Sequence, residues 1–369
     1  MNVRAPRSAP STRVISIDAF RGFVIAGMLL VNNMIWTEAT PRQLMHARWN
    51  QGVTFTDMIF PWFLFAMGLA IPLSGAAQRQ RRAGLRSQAL RMIRRSLLLV
   101  ILGMLLDSSV AGRPVIGLGV LQLLGIGYLV GALAWWAPVW ARLGIAGTLL
   151  AGHWALIRFV PVPGAGAGLM EESLNIIRHL NQTYLGRYHL AGLISIVPTS
   201  ACVLIGTAVG DLLRASSLRP AQKTAVIVLG GIVLAAAGVL WSRDLPFNKP
   251  LWTGSYILLA AGLGAILLGL YHLLFDVVGW RRLAFPFVVF GANAIVVYVS
   301  SIVLKVYVLQ RWQLRAAGGE LASLQQAILT YLTERVGPVE AGWLYTVGFI
   351  LFWWLTLLYL YRRGIFVRV

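Results

Sequence analysis

Of the 369 residues, 58% are hydrophobic and only 12% charged, with a mean hydropathy of +0.74; this excludes an ordinary soluble domain. A formal net charge of +20 would raise nucleic acid as a partner of a soluble chain. No nucleic-acid motif accompanies the charge here, and the arginines fall in short connectors between apolar runs, so topology signals and anionic lipid account for it better.

Runs of about 20 apolar residues recur, each long enough as a helix to cross a hydrocarbon core of about 30 Å. In chain order the predicted spans are roughly 17–36, 54–76, 94–111, 115–136, 139–160, 190–213, 222–242, 252–275, 283–307 and 342–361. The fold class expected is therefore all-α: a polytopic membrane protein with about ten transmembrane helices in one bundle. MNVRAPRSAPSTR at the start is polar and basic, and the SIDAFRG run behind it lacks a small-x-small cleavage site. Residues 1–15 are thus expected to be a flexible cytoplasmic segment before a retained first span. No internal repeat or linker divides the chain, which is expected to form a single domain over 1–369.

Lys and Arg in short loops favour the cytoplasmic side. The connector QRQRRAGLRSQALRMIRR at 78–95 is the densest basic stretch. With it inside, Arg214, Arg219, Lys223, Arg281, Arg282, Arg362, Arg363 and Arg368 also fall inside, and both termini are cytoplasmic. The opposite connectors then face outward: LMHARWN at 44–50, the segment 161–189, FNKPLW and residues 308–341, with Glu38, Glu171, Glu172, Asp244, Glu320, Glu334 and Glu340 among them. The stretch 318–336 carries apolar residues at helical spacing and is expected to lie along the membrane surface.

Polar groups inside spans are costly and so are candidates for function. Asp18 and Arg21 stand one turn apart at the start of the first span; they suit either a site or a helix-terminal acid with a snorkelling arginine. Asn32 and Asn33 near its outer end suit either a site or interhelical packing. Asp57, after Thr54 and Thr56, suits either a helix cap or a partner for His46, which with Trp49 and Asn50 lies in the short loop just before it. A carboxylate beside an imidazole orients the ring and stabilises its charged form, the requirement of a proton-transferring couple. Asn248, Lys249 and Trp252 come at the mouth of another span, and Asn293 falls inside a further one. The remaining histidines, His153, His179, His189 and His272, have no metal-ligand spacing, and the lone Cys202 reads as a small buried hydrophobe, so no metal is expected.

In order along nearly the whole chain from about residue 13, SIDAFRG, LVNN, HARWN followed by TFTDMIFPWFLFAMG, GVLQLLGIGYLV, NKPLWTGSY and GANAIVVYV together resemble the heparan-α-glucosaminide N-acetyltransferase family. The lysosomal member of that family moves acetyl from cytosolic acetyl-CoA to a terminal glucosamine on the luminal side. The resemblance implies a membrane acetyltransferase, here as a compact bacterial member in the plasma (inner) membrane. It further implies acetyl-CoA as donor, an amino sugar or other glycan as acceptor, the lipid bilayer as surroundings, and leaves room for a homodimer. Carried residue by residue, the family's catalytic histidine falls on His46 in its H-A-x-W-N context and the asparagine beside it on Asn32. Asp18 and Arg21 match D-x-F-R-G, Asp57 the aspartate ahead of F-P-W-F, and Asn248 with Lys249 match N-K-x-L-W.

The expected site is then His46, Asn32 and Asp57 for catalysis, Asp18, Arg21, Asn33 and Asn293 for acetyl-CoA, and Trp49, Asn50, Asn248, Lys249 and Trp252 for the acceptor. The resemblance departs at Leu123, where the family carries an arginine after G-V-L-Q, and at residues 189–192, HLAG, where it carries D-P-E-G. The competing expectation is a transporter or flippase whose Asp18, Arg21, Asn32 and Asn293 line a substrate path; the lack of two related halves speaks against it.

Overall fold

The computed structural model describes residues 14–80, 84–315 and 320–367, residues 76–80 by backbone alone. The expected N-terminal segment up to Arg13, together with Arg81, Arg82, Arg368 and the Arg79 side chain, lies outside that description. Helices α1 (Ile15–Asn33), α2 (Phe55–Gln80), α3 (Leu85–Ala111), α4 (Val120–Ala134), α5 (Val139–Phe159), α6 (Ile176–Leu180), α7 (Ile196–Arg214), α8 (Pro220–Trp241), α9 (Gly254–Tyr271), α10 (Arg281–Ala292), α11 (Ala294–Val303), α12 (Leu324–Val336) and α13 (Pro338–Arg362) follow one another. A short hairpin, β1 (Gln313–Arg315) with β2 (Leu321–Ser323), precedes α12.

Every predicted span falls on helix, but the segments are not equally suited to lipid. Among the described residues six are long and apolar enough to cross a membrane, seven if α10 and α11 count as one span bent by 62°. Among the others, α4 has only 15 residues, about 22 Å of helix at 1.5 Å per residue. The remaining two, α3 and α5, are interrupted by arginines, among them Arg94, Arg95 and Arg142. The bend corrects one expectation: Asn293 is not inside a continuous span but sits at the break, with φ −130° and ψ 47°. Its side chain donates Nδ2 to Ile365 O at 3.0 Å and accepts Val367 N at 2.8 Å, pinning the C-terminal tail against the break.

Glycines bring the central helices close. A Cβ on Gly68 of α2 would stand 2.2 Å from Val203 O of α7, and one on Gly206 would stand 2.5 Å from Phe65 O. Small residues of this kind let backbones touch where no hydrophobic force drives helices together within lipid. The tightest approach joins α1 to α10: a Cβ on Gly22 would lie 1.7 Å from Phe287 O, and one on Gly291 would lie 2.2 Å from Asp18 O. Gly22→Val is therefore expected to lower thermal stability in detergent by at least the roughly 1–3 kcal/mol usual for overpacking. A wild-type melting curve would contradict that contact.

Around these contacts Phe20, Ile25 and Leu29 of α1, Leu64, Phe65 and Leu69 of α2, and Tyr256, Ala260 and Leu268 of α9 form the core. By contrast, α8 and α13 leave Leu229, Val233, Leu240, Leu351 and Leu355 exposed, outward faces suited to lipid. Helix α12 buries none of its residues, and its start is held by reciprocal bonds between Ser323 and Gln326. A smaller core of Ile157, Val162, Ile176, Ile177, Leu245 and Leu251 organises the segment between α5 and α7 into a roof over the loop ahead of α2.

Candidate active site

The site begins at the first turn of α2. Thr54 stands just ahead of the helix and Asp57 is the helix's third residue, so the carboxylate reaches back to the Thr54 backbone, as acids do in that position. Oδ2 of Asp57 accepts Thr54 N at 3.1 Å, Thr54 Oγ1 at 3.0 Å and, from the preceding loop, Ala47 N at 3.1 Å. Its other oxygen, Oδ1, lies 2.7 Å from His46 Nδ1 and 3.5 Å from Lys249 Nζ. Cap and imidazole partner, alternatives in sequence, are two oxygens of one side chain.

Pro61 adds a further tie. It has no N–H to give the Asp57 carbonyl four residues earlier, and that freed oxygen accepts the Tyr256 hydroxyl of α9 at 2.6 Å. Asp57 is thus tied through both its carboxylate and its carbonyl, with 2% of its surface exposed. His46, whose side chain is 57% exposed, is oriented from one edge only. Since Asp57 can only accept when ionised, the Nδ1 proton points to it, and the neutral ring turns its Nε2 lone pair outward. No described residue pairs with that Nε2.

Lys249 arrives from the turn ahead of α9. Asn248 shapes that turn: its Oδ1 accepts Leu251 N at 2.8 Å, its backbone N–H donates to Thr253 Oγ1 at 3.0 Å, and its Nδ2 donates to Asn50 Oδ1 at 2.8 Å. Asn50 and Trp252 both hold a left-handed backbone at φ 54°; asparagine tolerates this and tryptophan does so at a cost of about 1–2 kcal/mol. The Trp252 ring packs edge-on against Phe60 at 5.2 Å. From the roof, Met170 O accepts both Trp49 Nε1 at 2.7 Å and Asn50 Nδ2 at 2.9 Å.

Burial pulls the Lys249 ammonium below the ordinary lysine value of 10.5, and the Asp57 carboxylate opposes that pull without cancelling it. Between the depressed value and 10.5 the unfolded chain then binds more protons at this position than the folded one. Stability contributed by Lys249 is accordingly complete above 10.5 and lost as pH falls through the depressed value. Melting temperature is expected to climb with pH across that interval, and Lys249→Met should flatten the climb; an unchanged slope would contradict the burial.

Three cavities adjoin along the bundle. The outer one, about 760 Å³, is lined by His46, Arg48, Trp49, Asn50, Asp57, Glu172, Asn248, Lys249 and Trp252. A middle one of about 200 Å³ shares His46 and Lys249 with it and adds Asn32, Phe63, Leu124 and Tyr298. The inner one, about 620 Å³, shares Phe63 and Leu124 with the middle and is lined by Asp18, Arg21, Ser74, Arg95, Phe366 and Val367. Arg21 donates Nε to Gly291 O at 2.8 Å and faces Asp18 Oδ1 at 3.3 Å. Arg95 stacks 4.5 Å over Tyr128 and keeps its buried Nε without a partner among the described residues.

All five residues expected at the acceptor end therefore line one cavity, and His46, Asp57 and Lys249 meet directly. Asn32 lines the middle cavity. Asn33 lies apart from all three, buried with Nδ2 on Leu29 O of its own helix at 2.8 Å. Asn293 acts on the inner cavity through the tail it pins. Sequence reasoning missed Lys305, whose Nζ reaches the Asn32 carbonyl at the end of α1, as well as Tyr298, Tyr256 and the tail residues. A lysine late in an apolar span was the available signal for Lys305.

Among the described residues no cluster of three or more metal-ligating side chains occurs. A family model described as the catalytic region of heparan-alpha-glucosaminide N-acetyltransferase matches residues 13–240. The chain is 26% identical over 377 residues to heparan-alpha-glucosaminide N-acetyltransferase of Mus musculus, a match covering 84% of this chain and 56% of that protein. To the Homo sapiens protein of the same name it is 25% identical over 396 residues, covering 87% and 58%. The chain thus spans a little over half the length of these curated relatives. With well over half of its residues under one family description and a mainly helical, membrane-suited architecture, the chain belongs to the heparan-α-glucosaminide N-acetyltransferase family.

Proposed function

We propose that this single transmembrane domain moves acetyl from acetyl-CoA, taken up on the cytoplasmic side, to an amino sugar or other glycan on the extracytoplasmic side of a plasma membrane, with both termini cytoplasmic. One observation carries the proposal: the imidazole oriented by Asp57 lines both the outer cavity and the middle cavity that leads inward. An oriented base at the meeting of two approaches is what acyl transfer between compartments requires.

Arg21 and Arg95 suit the phosphates of the donor, and the unpartnered Nε of Arg95 is a donor waiting for an anion. Pantetheine would pass Phe63 and Leu124, the residues common to the inner and middle cavities. His46 Nε2 takes a proton from the acceptor as its nitrogen or oxygen attacks the thioester carbon. The amide of Asn32, which has no side-chain partner among the described residues, donates to the oxyanion. The carbon–sulfur bond then breaks, and the departing thiolate takes up the proton that His46 removed from the acceptor. A route through acetyl-imidazole uses the same lone pair. Transport alone gives no role to an imidazole held in one tautomer, so the chemistry is favoured.

Purified protein given radiolabelled acetyl-CoA and a panel of amino sugars is expected to release CoA and label at least one sugar. Absence of label transfer, CoA release and CoA binding together would overturn the proposal.

A further inference from the structure

The outer cavity contains five ionisable side chains, His46, Arg48, Asp57, Glu172 and Lys249. Lys249 and Asp57 offset each other, and the Asp57 carboxylate is further met by His46, Ala47 and Thr54, so Arg48 and Glu172 are the two charges outside that network. That leaves Glu172 as the one carboxylate in the cavity wall with no hydrogen bond or ion pair among the described residues.

Its backbone, unlike its side chain, is tightly held. Met170 O accepts from Trp49 and Asn50. Glu171 O accepts Asn175 Nδ2 at 2.8 Å and Leu174 N at 3.3 Å, and Glu172 O accepts Arg178 Nη1 at 3.2 Å. Asn175 in turn caps α6 through Arg178 N at 2.8 Å. Three successive carbonyls are thus fixed around a carboxylate with nothing to bind. The backbone that presents the carboxylate is thus ordered before a ligand arrives, while the exposed carboxylate itself stays free to meet one.

We infer that Glu172 is the acceptor-selecting residue, binding the ammonium of an amine-bearing sugar as it enters a cavity where Arg48 would repel it and Asp57 is already engaged. This rests on the acetyl-transfer function proposed above. The acceptor arrives as an ammonium and leaves as an amide. Of its three nitrogen protons, one goes to water through the open mouth, one passes to His46 Nε2 and on to the departing thiolate, and one stays on the amide. The carbon–nitrogen bond forms as the carbon–sulfur bond breaks. Glu172 itself is not altered.

The test uses full-length protein, radiolabelled acetyl-CoA and glucosamine as the probe acceptor. Glu172→Gln is expected to raise the glucosamine KM about tenfold or more, the loss of one charge-assisted hydrogen bond, while the KM for acetyl-CoA stays at the wild-type value. Weak inhibition by glucose, which has no ammonium, should be the same in both proteins. Glu171→Gln, one residue away and outside the cavity wall, should behave as wild type, and Glu172→Asp should give an intermediate KM even where the glutamine variant folds poorly. A glucosamine KM unchanged in Glu172→Gln, or raised equally in Glu171→Gln, overturns the inference while leaving acetyl transfer standing. Wild-type protein that releases CoA but acetylates no amine removes the acceptor assignment, and protein with no acetyl-CoA chemistry at all removes the underlying function too.

Discussion

Replacing His46 by alanine is expected to reduce acetyl transfer about 10³-fold, the scale of a positioned general base, while leaving the melting temperature near wild type. Stability is spared because the ring is more exposed than buried and its polar contacts, with Asp57 at 2.7 Å and Lys249 at 3.3 Å, both fall on Nδ1. Asp57 keeps its three bonds to Thr54 and Ala47 and its ion pair with Lys249. The measurement is initial-rate transfer of radiolabel beside thermal unfolding in the same detergent. Retained turnover would remove the role given to the imidazole; a collapse of stability would show that its contribution is to the loop. Added imidazole, small enough for the outer cavity of about 760 Å³, should restore part of the rate if the lost group is a base.

Asp57→Asn is expected to be as damaging to rate, by about 10³- to 10⁴-fold, for a different reason. The amide has one accepting end. If that end stays with the donors at Thr54 and Ala47, the NH2 faces His46 and Lys249. It then donates to His46 Nδ1, which forces the ring proton onto Nε2 and removes the outward lone pair. If the amide turns around, three donors confront an NH2 and the start of α2 loses its cap. Lys249 loses its counter-charge either way. The variant should therefore combine slow turnover with a lowered melting temperature, in contrast to His46→Ala. Nitrogen chemical shifts of labelled imidazole would report the altered tautomer directly, and unchanged shifts with normal turnover would contradict the assignment.

Much of this geometry was readable from residue order. A short loop between two spans leaves His46 and Asp57 little freedom to separate, and a T-x-x-D sequence at a helix start fixes where the acid points. Asn248 and Lys249, about 200 residues away, were brought to the same cavity in the sequence reading only by the motif resemblance. The asparagine pair shows where local reading stops. Adjacent helical residues differ by about 100° in direction, so one of Asn32 and Asn33 had to face the cavity and the other the packing. Nothing nearby in sequence sets that phase. Glu172 and Lys305 stayed hidden for a related reason, since each matters only through the folding of a distant segment over α1 or α2. The bend at Asn293 was equally invisible, because an apolar run gives the same hydropathy whether straight or broken.

Pro61 carries a consequence for anyone redesigning this bundle. Exchange it for alanine and the second helix regains its missing internal bond, a change that routine stabilisation schemes would favour. The recovered amide would compete with the Tyr256 hydroxyl for the Asp57 carbonyl, uncoupling the acid from the very helix whose leading turn delivers Lys249. What looks like a defect in the second helix is a fastener between the two halves of the proton-handling apparatus, and mending it would let them drift apart.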